Sequence, residues 1–294
     1  MTTIKLSPFE FSRIVVIESL PSDEAQTGTQ LLPIVKTSAA DHKRIIPVDI
    51  YKCQNADEFR IILEKLCVEA KAGHIPILQI ECHGDQHTGL HFSDGSDLGW
   101  PDLSDALCSL NRETKFNLVV VISACFGAYF LGMLSPLKAA PCYALVSATK
   151  AIVPYEIRNG FVAFYDDLFA SLDLGLALAN LEKRKTYEGA WYSKSAEFRF
   201  LEIVKNHGAF QKVDLIKEQW KNFNDHVKPM STPPVSWQEY YKNIKEQNQK
   251  IPKKWFGTFF MTSLIFENAI RFKRVIDEAE AHFSVLRKTG DYVL

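Results

Sequence analysis

The sequence lacks the motifs that assign many chains of this size to a functional class. No Gly-rich phosphate loop of the P-loop or dinucleotide type occurs in its 294 residues, so it offers no basis for predicting that kind of nucleotide binding. It also contains no CxxC pair, no fixed-period repeat and no low-complexity tract. A net charge of −1 argues against an electrostatic role for the whole chain. What is present is an ordinary globular composition, with 47% hydrophobic and 23% charged residues.

Long apolar runs are missing as well. The first five residues contain no run of signal-peptide length, and the longest late apolar stretch, 255–266, is too short to span a bilayer. We interpret that stretch as a buried helix in preference to a membrane-surface helix. The six cysteines are widely spaced, which favours free thiols in a reducing compartment over a disulfide framework. These absences predict a cytoplasmic protein without a membrane partner.

Charge is distributed unevenly along the chain. Residues 181–294 hold 20 of the 34 Lys and Arg residues but only 14 of the 35 Asp and Glu residues. A basic extension on an acidic core would suit an acidic partner or nucleic acid, although solvated helical faces produce the same pattern. We favour solvated faces, so nucleic acid is not an expected partner.

Short apolar runs alternate with helical patterns in the first part of the chain. The predicted strands are 13–17, 45–51, 75–82, 116–124 and 142–148. The predicted helices include 56–71, 126–134 and 160–172. Asn55 and Asn159 are the candidate N-caps of the first and the last of these helices, and Asp94-Gly95 predicts the turn of a short hairpin. This alternation predicts an α/β fold with a mostly parallel sheet flanked by helices.

The pattern changes after about residue 175, where helical periodicity dominates. The candidate helices there are 196–205, 213–223, 237–247 and 258–285. Ser236 is a candidate N-cap for the third of them. We therefore predict a first domain over residues 1–178 and an α-helical C-terminal extension over 179–294, packed on the first domain.

Two of the predicted strands deliver reactive residues at their C-terminal ends. One leads into His83 and Gly84, and the other leads into Cys125. Ligands bind at the C-terminal strand ends of an open α/β sheet, so these residues are expected to meet there. A thiolate at Cys125 would be the nucleophile, stabilised by the helix that follows it, and His83 would transfer the proton. The amides of Gly84 and Cys125 would form an oxyanion hole.

A metal site is the first alternative for these histidines. His83, His87 and His91 recur at every fourth residue, a spacing that would suggest metal binding if they lay on a helix. Gly84 and Gly89 argue against a helix, and on a strand-loop-strand path we expect the three rings to diverge. We therefore predict no metal. A single buried cysteine or loop histidine is more often structural, so the dyad interpretation depends on the two strand ends occurring together.

With these residues the sequence resembles the caspase-like (clan CD) cysteine peptidases, most of all their CHAT branch. The similarity covers roughly residues 10–180 and includes the His-Gly and Ala-Cys strand ends, the segments Ser93-Asp94-Gly95 and Ser147-Ala148-Thr149, and 161–165. The resemblance implies a caspase-like sheet, His83 and Cys125 as the catalytic dyad, and no metal or organic cofactor. It also implies a role in bacterial stress or antiviral defence, in which CHAT-like peptidases cleave one partner protein.

The resemblance does not extend to a known substrate preference. The phrase Ser123-Ala124-Cys125 differs from the Gln-Ala-Cys of true caspases. Ser123 also stands where metacaspases carry an acidic residue. Neither cleavage after aspartate nor a preference for basic residues is therefore implied.

Polar residues near the predicted crevice are the candidate substrate contacts. They are Asp85, Ser123, Ser147, Thr149, Glu156 and Arg158. Glu156 would receive a basic side chain and Arg158 an acidic one, although a surface ion pair or solvated charges would give the same sequence. Asp85 would orient His83, line the crevice or remain a solvated loop residue.

The sequence as a whole predicts a cytoplasmic cysteine endopeptidase that cleaves a protein substrate. Since the chemistry does not need the helical extension, we expect that region to bind a regulatory protein partner. The alternative is a caspase-like binding or scaffold module without catalytic activity. The presence of both dyad residues tells against that alternative.

Overall fold

The computed structural model of the protein describes residues 6–151, 153–183, 191–227 and 234–294. They form two compact units. The first contains the described residues up to Ser135 together with Ala139–Ala196, and the second contains Pro136–Lys138 and Glu197–Leu294. The domain boundary predicted at 178/179 lies inside a helix, and the division between the units follows Ala196.

The first unit is built on one mixed sheet. Its strands are β1 (Arg13–Ser19), β2 (Val48–Lys52), β3 (Pro76–Asp85), β4 (Gly89–His91), β5 (Asp97–Leu98), β6 (Val119–Ser123), β7 (Ala144–Ala148) and β8 (Trp191–Ser195). The strand order is β2-β1-β3-β6-β7-β8, parallel from β2 to β7, with β8 antiparallel to β7. The hairpin of β4 and β5 pairs with the end of β3. The predicted α/β class with a mostly parallel sheet flanked by helices is confirmed.

The central strands are continuous apolar runs because both faces of the sheet are covered. All four residues of Val119–Ile122 in β6 have no exposed surface. β8, which the sequence analysis missed, has a different pattern. Its Trp191, Ser193 and Ser195 are buried and alternate with less buried residues, as expected for a strand at the end of the sheet order.

The described residues of the first unit form five α-helices. They are α1 (Thr27–Asp41), α2 (Ala56–Lys71), α3 (Trp100–Glu113), α4 (Pro154–Ser171) and α5 (Leu174–Lys183). The predicted cap of α2 is confirmed, since Asn55 Oδ1 accepts a hydrogen bond from Glu58 N at 2.8 Å. The predicted cap at Asn159 is wrong. α4 begins earlier, at Pro154, because proline suits the first turn of a helix.

The second unit is helical in its described residues. Its helices are α6 (Ala196–Ala209), α7 (Val213–Val227), α8 (Trp237–Phe259), α9 (Asn268–Arg271) and α10 (Lys273–Thr289). The predicted cap at Ser236 is confirmed by a 3.2 Å hydrogen bond from Glu239 N. The single helix predicted over 258–285 is correct only in part, because the chain is not helical from Phe260 to Glu267 and two separate helices, α9 and α10, cover most of the remainder. The stretch 255–266 is helical only in its first part. α8 ends at Phe259, and the buried Asn268 side chain donates a 2.7 Å hydrogen bond to Phe260 O.

None of the helices in the described residues combines the length and the apolar character that a membrane span requires.

Candidate active site

The candidate site lies where β3 and β6 end side by side. Their parallel register pairs Ile77 with Val119 and continues to Glu81 and Ser123, an offset of 42 residues. His83 and Cys125 each follow two residues after this last pair. β6 ends at Ser123, while β3 continues to Asp85. The sheet therefore leads the histidine and the cysteine to the same edge, as the sequence analysis expected.

Gly84 shows how closely the two chain segments approach. A Cβ atom built on Gly84 would lie 2.7 Å from the carbonyl oxygen of Cys125 and 2.9 Å from Ala124 Cβ. Such distances are shorter than van der Waals contact, so only glycine allows the main chain of Cys125 to pack there. From the sequence, the Gly84 amide is expected to stabilise an oxyanion. The structure shows that its missing side chain also makes room for the main chain of the candidate nucleophile.

The turn at Cys125 has an unusual backbone conformation. Cys125 is partly exposed, and the next residue, Phe126, adopts the left-handed conformation with φ 59° and ψ 15°. This conformation costs a non-glycine residue about 1 kcal/mol and is often found at functional sites. Among the hydrogen bonds of the described residues, none is donated by the Cys125 amide. That amide is consequently available to an oxyanion.

The helix expected after Cys125 is only partly as predicted. It is a 3₁₀ helix of seven residues, Gly127–Met133, instead of an α-helix over 126–134. A short 3₁₀ helix has few aligned peptide dipoles, so it stabilises a thiolate less than an α-helix would. A Cβ on Gly127 would lie 2.2 Å from Ser147 Oγ, so the chain after the cysteine packs tightly on β7.

His83 lies between two neighbours that the sequence analysis did not identify. Its Nε2 is 2.8 Å from Glu24 Oε2, in the loop between β1 and α1. In addition, β4 pairs antiparallel with the end of β3 and sets the backbone of His91 opposite that of His83. The hairpin therefore folds β4 back alongside β3, so the backbones of these two histidines are neighbours, while their rings bind different carboxylates. The His91 ring has its own partner, since its Nδ1 is 2.7 Å from Asp97 Oδ1.

Four buried polar residues form a cluster next to the candidate site. They lie in β3 (Gln79 and Glu81), at the end of β6 (Ser123) and at the start of α1 (Thr27). Thr27 Oγ1 donates to Glu81 Oε2 at 2.6 Å, and Gln79 Nε2 donates to Glu81 Oε1 at 2.7 Å. Burial raises the pKa of the Glu81 carboxyl to about 7, while hydrogen bonds from the other three members of the cluster lower it and the charge of Glu18 raises it further. The pKa of Glu81, two residues before His83 on β3, is therefore well above that of an exposed glutamate.

Two of the candidate substrate contacts are buried. Ser147 is fully buried and donates its hydroxyl hydrogen to Ile122 O at 3.1 Å. It is therefore inaccessible to a substrate, and it links β7 to β6. Ser123 is 6% exposed and belongs to the buried polar cluster around Glu81. Both serines are thus bound inside the fold next to the candidate site, and neither has an exposed surface that could contact a substrate.

The other four candidates are partly exposed. Asp85 Oδ1 accepts hydrogen bonds from His87 N at 2.7 Å and Thr88 N at 3.1 Å. These bonds lower the pKa of Asp85 and assign its carboxylate to the turn between β3 and β4. Arg158 Nη1 donates to Gln30 Oε1 at 3.0 Å, which links α4 to α1. Two candidates remain. Thr149 directly follows β7, and Glu156 lies in the first turn of α4. Their roles as substrate contacts stay predictions.

Glu24 is the residue of the site that the sequence analysis missed. It is separated from His83 by 59 residues and belongs to a polar stretch without a recognisable motif. One signal was available. Glu24 follows β1, and the C-terminal ends of all parallel strands border the same crevice. Applying that rule to every predicted strand, and not only to those that end in His or Cys, would have included the loop after β1.

No trio of His, Cys, Asp or Glu side chains in the described parts of the chain is arranged to hold a metal ion. Comparison with known proteins gave no match to a protein-family model and no match among curated proteins.

Proposed function

We propose that the chain is a cysteine endopeptidase in which Cys125 is the nucleophile and His83 is the acid and base. The observation that carries this proposal is the contact of the Gly84 backbone with Cys125 at the C-terminal edge of a parallel sheet. That contact sets the chain segment that carries a histidine next to the segment that carries a partly exposed cysteine. A histidine beside a cysteine is the arrangement that makes a thiolate at neutral pH.

The proposed reaction is acyl transfer to the thiol. His83 removes the proton from Cys125 Sγ, and the sulfur attacks the carbonyl carbon of a peptide bond. The negative charge that develops on the carbonyl oxygen is stabilised by the amides of Cys125 and Gly84. His83 then gives its proton to the departing amine, which leaves a thioester. Water deprotonated by His83 hydrolyses the thioester and regenerates the free thiol.

The substrate and the cellular setting are proposed from the family resemblance and from the state of the cysteines. The resemblance to CHAT-like peptidases supports a single partner protein as the substrate, in bacterial stress or antiviral defence. All six cysteines are free, which agrees with a cytoplasmic location. Glu156 and Arg158 are the proposed contacts for a charged substrate side chain, since both are partly exposed in α4, at the helix start that follows β7.

Alkylation by iodoacetamide tests the dyad without knowledge of the substrate. Cys67 is the internal control, because it is also partly exposed and burial raises the pKa of its thiol. We expect Cys125 to react faster than Cys67 at neutral pH, and the excess to disappear in His83→Ala. His87→Ala is the matched control, an exposed histidine of the turn after β3.

Equal labelling of Cys125 with and without His83 would contradict the dyad and favour the catalytically silent binding module. If the dyad is present, a peptide library incubated with wild type and with Cys125→Ala identifies the cleaved bond. Cleavage products should appear only with the wild type.

A further inference from the structure

We infer that Glu24 is a positioning residue for His83, so that the site is a triad of Cys125, His83 and Glu24. This inference rests on the proposed function. It starts from the 2.8 Å contact between Glu24 Oε2 and His83 Nε2. The sequence predicts the dyad only, and the third group follows the end of a different strand, β1.

The contact determines which nitrogen of His83 is the base. An ionised carboxylate only accepts hydrogen bonds, so Nε2 carries the hydrogen that Glu24 accepts. In a neutral imidazole the other nitrogen, Nδ1, then has the free lone pair and takes the proton of Cys125. Once the ring is doubly protonated, the adjacent carboxylate stabilises its positive charge.

The loop that carries Glu24 is held in place by its own hydrogen bonds. The Gln26 side-chain amide donates to Pro21 O at 2.8 Å and to Leu20 O at 3.4 Å. Glu24 N donates to Pro21 O at 3.1 Å, which closes a turn. Glu24 therefore belongs to a hydrogen-bonded turn, and this turn holds its carboxylate in place next to His83.

This turn is tied to the sheet by a lysine from β2. Lys52 Nζ donates to Gln26 Oε1 at 3.1 Å and lies 3.2 Å from Glu18 Oε2. The Glu18 side chain is fully buried in β1, where it also accepts hydrogen bonds from the N and Oγ1 of Thr29. A chain of contacts therefore connects the core of the sheet to the residue that orients the histidine.

The other charged groups near His83 are already engaged. Asp85 accepts the amides of its own turn, and His91, opposite His83, is bound to Asp97. Glu81, two residues earlier on β3, is bound within the buried polar cluster. Among these described carboxylates, Glu24 is the one in contact with the His83 ring.

The exposure of the His83–Glu24 pair makes it possible to distinguish a role in orienting His83 from a role in stabilising the fold. The side chains of His83 and Glu24 are 45% and 46% exposed. Exposed ion pairs contribute little to stability, so removing the carboxylate should change the reactivity of Cys125 far more than the stability of the fold.

The test is the pH dependence of Cys125 alkylation by iodoacetamide in the full-length chain. Glu24→Gln keeps the size of the side chain, removes its charge and lets its amide donate to Nε2, which favours the wrong tautomer. We expect the half-maximal pH of labelling to rise by about one unit, and the rate at neutral pH to fall about tenfold. Glu24→Asp, which keeps a carboxylate, should recover part of the rate. Asp23→Asn removes the neighbouring exposed carboxylate and should leave the profile unchanged.

Each outcome separates this inference from the proposed function. If wild type and His83→Ala label alike, the proposed function fails, whatever Glu24 does. If labelling depends on His83 but Glu24→Gln follows the wild-type profile, only the inference is overturned. An equal shift in Asp23→Asn would also overturn it, because that result indicates a general effect of loop charge. The buried Cys142 thiol, which should stay unlabelled in every variant, reports that the first unit is folded.

Discussion

Replacing Glu81 by glutamine tests whether burial raises the pKa of the Glu81 carboxyl and thereby makes the stability of the first unit depend on pH. The Glu81 carboxyl lies in the buried polar cluster, and burial raises its pKa from 4.5 to about 7. A glutamine has the same shape. Its oxygen can accept from Gln79, and its amide can donate to the Thr27 hydroxyl. The substitution therefore removes the charge while it keeps the hydrogen bonds of the cluster.

The sign and size of the effect follow from the two pKa values. Below pH 4.5 the carboxyl is protonated in the folded and the unfolded chain, so it has no effect on stability. Between 4.5 and about 7 the unfolded chain releases the proton and the folded chain holds it, so the free energy of unfolding falls as the pH rises. Above about 7 the loss is complete and amounts to about 3 kcal/mol.

Glu81→Gln should therefore gain stability over the wild type as the pH rises. We expect the difference in free energy of unfolding to grow by about 2–3 kcal/mol between about pH 5 and about pH 8.5. Glu64→Gln, an exposed carboxylate on α2, is the matched control and should show no such growth.

Alkylation of Cys142 in guanidinium chloride provides a suitable assay. Cys142 is buried, and burial raises the pKa of its thiol to about 12, so it reacts through unfolding. All six cysteines lie in the first unit, so the label does not report on the second. Rates are normalised to the unfolded chain at each pH. If the free energy of unfolding of Glu81→Gln differs from that of the wild type by the same amount at both pH values, burial does not raise the pKa of Glu81.

Three further substitutions test local packing. Gly84→Ala should displace the main chain of Cys125 and slow its alkylation about tenfold or more; an unchanged rate would show that the close contact is unimportant. Gly160→Ala places a Cβ 2.2 Å from a ring carbon of Trp191, so overpacking of about 1–3 kcal/mol should exceed the gain in helix propensity and lower the guanidinium midpoint. Asn55→Ala removes the cap of α2 and should cost about 1 kcal/mol in the same titration, and a midpoint equal to wild type would speak against the cap.

The elements that could be predicted from the sequence are those with local causes. The strand 116–124 is a continuous apolar run, and its core was found as β6 because such a run favours a buried strand whatever its neighbours are. The turn at Asp94-Gly95 was found for a similar reason, since Gly95 adopts φ 90° there. The prediction failed where the chain departs from a periodic stretch. The stretch 258–285 has helical periodicity, yet α8 ends at Phe259, Met261 adopts a positive φ of 53°, and the buried Asn268 side chain binds the carbonyl of Phe260.

The candidate site shows the same division. The placement of His83 and Cys125 at one edge followed from two strand ends and the general rule for parallel sheets. The contact of Glu24 with His83 could not be read in the same way, because it depends on how the turn after β1 is held by Gln26. The burial of Ser147 also required the structure, since a serine in a strand is equally compatible with an exposed or a covered position.

The sequence by itself determined the class of fold and the two residues at the centre of the candidate site. It could do so because apolar periodicity and strand ends are properties of short segments. Only the tertiary structure decided which carboxylate meets the histidine, which glycine admits the cysteine main chain, and which serines are covered. These outcomes depend on distances between segments that are tens of residues apart, and those distances are set by the packing of the whole unit.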